Sequence, residues 1–253
     1  MTNNNRINLL GCPIDNFTMH ETLDIIENII EKREITQHVV INTAKLVYMQ
    51  KNKLLKQSIL DSKIINPDGQ AIVWASKVLG NSLPERVAGF DLMNNLVDLS
   101  VRKGYKIFFF GATEDVICRI VRVYKQKYQN LRIVGYRNGY YIEEKEFDIV
   151  NQIKQCEPDI LFVAISSPMK EIFLNKYKYF MKIPFIMGVG GSFDIVAGKT
   201  KRAPKWIQNI GFEWLFRLIQ EPKRMWKRYL ITNTIFIWLV FKELIKKYAK
   251  KLQ

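Results

Sequence analysis

Histidine and cysteine are scarce in this 253-residue chain: two histidines, His20 and His38, and three cysteines, Cys12, Cys118 and Cys156. The cysteines are widely spaced, odd in number and form no Cys-x-x-Cys pair. This sets aside a disulfide framework and a zinc ribbon and points to reduced thiols in a cytoplasmic setting. His20 falls on a predicted helix and His38 at a strand start, so both read as structural. No Asp-x-Asp pair is present to hold Mg²⁺ or Mn²⁺ against a diphosphate, and Glu146-Phe147-Asp148 falls in a predicted helix away from the strand ends. Neither a bound metal nor a cofactor is therefore expected. A long apolar run is missing too. The longest, Tyr229 to Phe241, is interrupted by Thr232, Asn233 and Thr234, well short of the roughly 20 residues a spanning helix needs. Met1 to Arg6 is polar, with no apolar secretory core, so the expectation is a chain that stays inside the cell and can lie on a membrane without crossing it.

Acidic residues are scarce in one region only. The net charge is +15, yet residues 199–253 hold 14 Lys or Arg against 3 Asp or Glu, a net of +11, which leaves +4 for residues 1–198. A uniformly solvated surface would spread this charge, so the imbalance points to an anionic partner: phosphate, anionic lipid or nucleic acid. Trp206, Trp214, Phe216, Trp226 and Tyr229 are interleaved with Lys205, Arg217, Lys223, Arg224, Lys227 and Arg228, the mixture expected where a helix meets lipid headgroups.

The first 198 residues alternate short β-branched or apolar runs with amphipathic stretches, which predicts an α/β fold with a largely parallel, Rossmann-like sheet flanked by helices. Strands are expected at Ile7–Leu10, His38–Ile41, Lys63–Asn66, Lys106–Phe110, Leu131–Gly135, Asp159–Ile165 and Phe185–Val189. Thr18 and Glu21 form a capping box for a helix through Lys32, and Thr113 is placed to cap Glu114–Tyr128. After Lys199 the alternation stops, and residues 199–253 read as a basic helical appendage to a catalytic domain of residues 1–198.

Ligands of open α/β sheets bind at the carboxyl ends of the strands, and here those ends are polar and glycine-rich. They read Asn42-Thr43, Pro67-Asp68-Gly69, Gly111-Ala112-Thr113, Arg137-Asn138-Gly139-Tyr140, Ser166-Ser167-Pro168 and Gly188 to Asp194. Two better-known phosphate motifs fail. Ala197-Gly198-Lys199-Thr200 looks like the end of a P-loop, but the glycine needed five residues before Gly198 is Phe193. Gly188-x-Gly190-Gly191 lacks the third glycine of a dinucleotide fingerprint at the same place. Asp68, just past a strand, can serve as a general base or merely as a turn former or helix cap. Arg86 carries the same ambiguity. Arg217, Arg224 and Arg228 can hold phosphate oxygens bidentately.

Taken together, Asn66-Pro67-Asp68-Gly69, Arg86-Val87-Ala88-Gly89-Phe90-Asp91-Leu92, Gly188 to Asp194 with Ala197-Gly198-Lys199, Arg202-Ala203-Pro204, Glu213-Trp214 and Arg217 to Arg224 resemble the WecG/TagA/CpsF family of bacterial glycosyltransferases, over about Ile7 to Tyr229. The resemblance implies an inverting, metal-independent enzyme that moves a sugar of the N-acetylmannosamine type from a UDP-sugar to a polyprenyl-diphosphate-linked acceptor. It makes Asp68 the base, puts Arg86 in the catalytic pocket, and gathers Asn42, Tyr140 and Asp194 around the donor. Thr43, Gly111, Gly190 and Gly191 join the substrate-binding set as strand-end residues. The basic segment is implied to dock on the inner face of the plasma membrane and to contribute arginines. Two positions depart from the family pattern: Val40 stands where many members have Thr, and Lys170 where they have Gln. Both leave the donor open, with a different hexose or a uronic acid as the alternative. A phosphate- or nucleic-acid-binding module without catalysis is a more distant reading, and polar strand ends argue against nucleic acid. A homo-oligomer is left open.

Overall fold

The structure, a computed structural model, describes residues 5–251. The chain opens with a hairpin, β1 (Arg6–Leu9) and β2 (Cys12–Asp15), then α1 (Met19–Glu31), β3 (Thr36–Ile41), α2 (Thr43–Met49), α3 (Lys53–Leu60), β4 (Ile64–Pro67), α4 (Gln70–Val78) and α5 (Gly89–Lys103). There follow β5 (Lys106–Gly111), α6 (Glu114–Lys127), β6 (Arg132–Arg137), α7 (Glu146–Gln155), β7 (Ile160–Ala164), α8 (Met169–Met181), β8 (Phe185–Gly188) and α9 (Ser192–Val196). The end of the chain is helical: α10 (Lys205–Asn209), α11 (Glu213–Gln220) and α12 (Pro222–Lys251).

Six strands form one parallel sheet in the order β4-β3-β8-β7-β5-β6, flanked by helices as expected. The chain runs from β3 outward to β4 at one edge. It crosses by α5 to β5 and runs outward to β6 at the other edge, then returns through β7 and β8 to lie beside β3. A parallel strand covered on both faces must be apolar on both, and β5 shows it: Phe108, Phe109 and Phe110 are all fully buried. Phe109 enters the core beneath α1, α5 and α6, stacked on Phe162 at 5.7 Å, whereas Phe108 and Phe110 enter the core beneath α7 and α8. Each such ring removed from water contributes on the order of 1.5–3 kcal/mol.

Two details differ from the sequence reading. β2 was not expected. Pro13 and the single apolar pair around it gave no strand signal, but Asp15 fixes the hairpin by an ion pair with Arg6 and by accepting the Ile65 amide at 2.6 Å, which ties it to β4. Thr18 and Glu21 form the expected capping box on α1, but Thr113 makes no side-chain hydrogen bond at the start of α6, where Glu114 and Asp115 offset the helix dipole instead.

The segment after Lys199 lies against the sheet body. Phe236 and Thr232 are buried, and Ile235, Leu239, Val240 and Leu244 pack with the core formed by α2, α3, α4 and the hairpin. The Thr232-Asn233-Thr234 interruption sits inside the unbroken helix α12. Both threonine hydroxyls donate to carbonyls four residues back, and Asn233 accepts from the Thr43 hydroxyl at 3.3 Å. Among the described residues, no helix is long and apolar enough to cross a membrane.

Candidate active site

The backbone brings Asp68 and Arg86 together although eighteen residues separate them. The Asp68 amide donates to the Ile41 carbonyl at 2.7 Å, pinning the end of β4 to the end of β3, and the Val87 amide donates to the Pro67 carbonyl at 2.9 Å. Asn42 caps α2 by accepting the Lys45 amide at 3.0 Å and lies beside Gly69. Asp68 is half-buried at this corner. Burial pushes its carboxyl above the ordinary range, and the Arg86 charge pulls it back. Glu213 pushes it up again, while Lys45 and the Gly89 amide pull down, and the balance stays upward.

Arg86 does not project freely into the crevice. Its guanidinium is paired with Glu213 of α11 at 2.5 Å, and the other Glu213 oxygen lies 3.6 Å from Arg202. Arg202 grips Asp91 with both terminal nitrogens and covers the Phe90 ring at 4.5 Å. An alternating chain of charges, Arg86–Glu213–Arg202–Asp91, thus stitches the segment after Lys199 to the start of α5. Sequence reasoning quoted Asp91, Arg202 and Glu213 inside motifs without giving them a role; the 111- and 127-residue separations of these pairs hid the pairing.

Arg217 reaches furthest into the sheet edge. A side chain at Gly191 would collide with its guanidinium, so the glycine at the end of β8 leaves the space that the arginine occupies. Tyr229 stands nearby, edge-on to Trp214 at 5.7 Å. Burial raises its hydroxyl pKa, the Arg217 and Arg228 charges pull it down and the Asp68 and Glu213 charges push it up, so these groups lie near the Tyr229 hydroxyl. Arg228 lies over the Tyr229 ring. Arg224 is exposed and pairs with Glu221 at 2.7 Å.

The remaining expected residues divide between the two halves of the edge. Gly190 and Gly191 follow β8, and Asp194 lies on the first turn of α9, where its carbonyl accepts the Lys199 amide at 2.9 Å. Thr43 is turned toward α12 by its bond to Asn233. Gly111 and Tyr140 lie at the β5–β6 half. Gly111 adopts φ +126° because a Cβ there would stand 2.5 Å from the Ala164 backbone, and the Gly139 amide ties the next loop to Ala112 at 2.9 Å. Tyr140 is 74% exposed and makes no side-chain contact with the Asp68 corner among those described. Val40 is buried one layer beneath the edge, its methyls facing Gly89.

Lys170 turns inward from the first turn of α8, its stem laid across Gly188, and is 6% exposed. Sequence reasoning missed its neighbour Lys45, which carried no signal beyond following the Asn42 cap by three residues. His38 is buried against Asn66 at 2.8 Å, a structural role. No group of three or more His, Cys, Asp or Glu residues suited to a metal occurs among the described residues.

The fold and the edge define an open parallel α/β protein whose charged strand carboxyl ends are met by side chains of its own C-terminal segment. A sequence profile described as the glycosyl transferase WecG/TagA/CpsF family matches residues 7–250, and the chain belongs to that family. Similar proteins include an N-acetylglucosaminyldiphosphoundecaprenol N-acetyl-beta-D-mannosaminyltransferase of Bacillus subtilis, 38% identical over 67% of this chain and 65% of the relative. The enzyme of the same name from Staphylococcus aureus strain MW2 is 28% identical over 95% of this chain and 94% of the relative.

Proposed function

We propose that the chain transfers one sugar from a UDP-sugar to a polyprenyl-diphosphate-linked sugar, with inversion and without a metal. Support for the acceptor comes from the names of the relatives, enzymes that act on a diphosphoundecaprenol-linked N-acetylglucosamine and transfer N-acetylmannosamine. The observation that carries the reading is the Asp68 corner: a carboxylate at a strand end, tied through the backbone to Arg86, which in turn pairs with Glu213 of the C-terminal segment.

In this reading Asp68 takes the proton of the acceptor hydroxyl. The freed oxygen attacks the anomeric carbon opposite the nucleotide, and the bond to UDP breaks with its electron pair going to the diphosphate. A raised pKa strengthens the carboxylate as a base toward the acceptor hydroxyl. Arg217 and Arg228 stabilise the departing diphosphate, the task a metal performs elsewhere. Arg86 holds the corner through Glu213 and faces the reacting groups. Residues 1–198 are the catalytic domain and residues 199–253 a basic segment that completes the site and docks the enzyme on the inner face of the plasma membrane.

Docking is supported by the two faces of α12. One packs on α2, and the other carries Trp238, Phe241, Ile245 and Tyr248, each more than half exposed, at spacings of three and four residues among Lys242 and Lys246. A net +11, at up to about 1 kcal/mol per basic group near an anionic leaflet, suffices for reversible attachment. The test is a panel of UDP-sugars with a short lipid-diphosphate N-acetylglucosamine acceptor, read by product mass with EDTA present. One added hexosamine with UDP released is the expected result. Turnover that needs Mn²⁺ overturns the metal-free mechanism, and no product from any donor overturns the reading.

A further inference from the structure

Beside the Asp68 corner lies a buried charge cluster that the mechanism above does not use. Lys45 of α2 and Lys170 and Glu171 of α8 are 5%, 6% and 2% exposed. Both ammonium groups sit on the same carboxylate oxygen, Lys45 at 2.8 Å and Lys170 at 2.6 Å. The second oxygen accepts the Ser167 hydroxyl at 2.9 Å. The first oxygen is held by charge alone, without an aligned hydrogen bond, so two positive charges meet one negative charge and a net positive charge is left inside the protein. An unbalanced buried charge is costly unless something neutralises it.

The two lysines are not equivalent. Lys45 has a second partner, the Val40 carbonyl at 2.7 Å. Lys170 has only the Glu171 ion pair among the described contacts, with no aligned hydrogen bond from its ammonium. Its stem lies across Gly188 at the end of β8, where any side chain would block it. Arg228 of α12 is close enough for its charge to be felt at Lys170, and Lys45 is felt at Asp68. Lys45 follows the end of β3, Lys170 follows the end of β7, and the Lys170 stem lies on Gly188 at the end of β8, so the excess charge sits at the carboxyl edge of three neighbouring strands.

We propose that Lys170, seconded by Lys45, forms a subsite for an anionic oxygen group of the substrate: a carboxylate on the transferred sugar or a phosphate of the nucleotide. The proposal rests on the UDP-sugar reading and adds which end of the crevice discriminates by charge. Glu171 is the positioning residue. Burial alone would raise its pKa, but the Lys45 and Lys170 charges hold it well below the ordinary carboxylate range, so it stays ionised and keeps both ammonium groups in place. Lys170 is pushed down to about 8 by burial and by the like charge of Lys45, against the pull of Glu171, with Arg228 adding to the push. Its charge, and any anion held by it, is therefore lost as pH rises through about 8.

The experiment is calorimetric titration of UDP, a neutral UDP-hexosamine and a UDP-hexuronic acid into the full chain, as wild type, Lys170→Gln and Lys170→Met, with thermal melts to show that each variant is folded. Loss of a charged hydrogen-bond donor should weaken binding by about tenfold or more. An equal loss for all three ligands identifies the phosphate as the anion; a loss confined to the uronic acid identifies the sugar carboxylate. Unchanged affinity for all three in a folded variant overturns the subsite. The wild type supplies a measurement independent of variant folding: affinity for the anion falling between pH 7 and 9 supports the proposal, and a flat profile contradicts it. Failure of wild type to bind any of the three ligands overturns the UDP-sugar reading itself.

Discussion

Before residue 199 six phenylalanines, Phe108, Phe109, Phe110, Phe162, Phe185 and Phe193, are fully buried. After it large apolar side chains largely stay outside, with Trp206, Ile219, Trp226, Leu230, Ile237, Trp238 and Phe241 all more than half exposed, among most of the net charge of the chain. The first pattern is that of a domain that satisfies itself. The second is that of a segment using one side of its length against the body and offering the other to something else. What joins them is the apolar seam of Phe236, Leu239 and Leu244 on the body, together with the Arg86–Glu213–Arg202–Asp91 chain and the Thr43–Asn233 bond. The contrast teaches that the crevice belongs to neither region alone. In the proposed reading the base comes from a strand end and the cations from the last two helices.

The largest effect should come from unseating α12. Phe236→Ala removes the main fully buried ring by which that helix holds the body, and a loss of about 3–5 kcal/mol is expected. Denaturant midpoints measure it; a change under about 1 kcal/mol would show that the helix is held elsewhere.

Asp68→Asn tests the contribution of the body. Turnover should fall by roughly 10²-fold or more, the scale of a lost general base, while affinity for UDP changes little. Near-normal turnover removes Asp68 from that role.

A subtler coupling crosses between the regions. With Asp68 as the proposed base, kcat/KM should rise with pH along an acid limb lying above the ordinary aspartate value of about 4. Glu213, part of the C-terminal segment, helps to raise Asp68. Glu213→Gln should therefore move that limb to lower pH, and a limb that stays put would mean that the two regions are not electrostatically linked.

The smallest effect is that of a single outer charge. Lys246→Ala should weaken binding to anionic vesicles by no more than about 1 kcal/mol, increasingly little at high salt, and leave turnover on a water-soluble acceptor unchanged. Lys247 is a poorer choice for this purpose, since its ammonium is bound to the Leu79 carbonyl.

Much of this was legible in the sequence wherever the cause is local. The sheet strands follow from short β-branched or apolar runs, and the α1 capping box follows from two residues three apart. The strand-end residues follow from turn chemistry, and the chain placed Asp68, Arg86 and Gly191 at that edge. What stayed hidden depends on partners distant in sequence. Arg86 gives no sign that its counter-charge lies at residue 213, nor Lys45 that it shares a carboxylate with Lys170. Thr232-Asn233-Thr234 read as a break in an apolar run because the sequence does not show that α2 supplies Thr43 as a partner. β2 was hidden for the same reason: a four-residue strand containing a proline is specified by its pairing and by Asp15 bonding Ile65, not by its own composition.

The most direct test of a crevice assembled from two regions separates chemistry from membrane attachment. Arg217→Ala and Arg228→Ala, combined in one variant, should be assayed against the wild type with a UDP-sugar donor and a short lipid-diphosphate acceptor that needs no membrane. If these guanidinium groups of the last two helices face the departing diphosphate, turnover falls by about 10²-fold or more although no lipid surface is present. Equal turnover of the folded double variant and the wild type on the soluble acceptor would contradict the account, leaving the C-terminal helices a membrane anchor only.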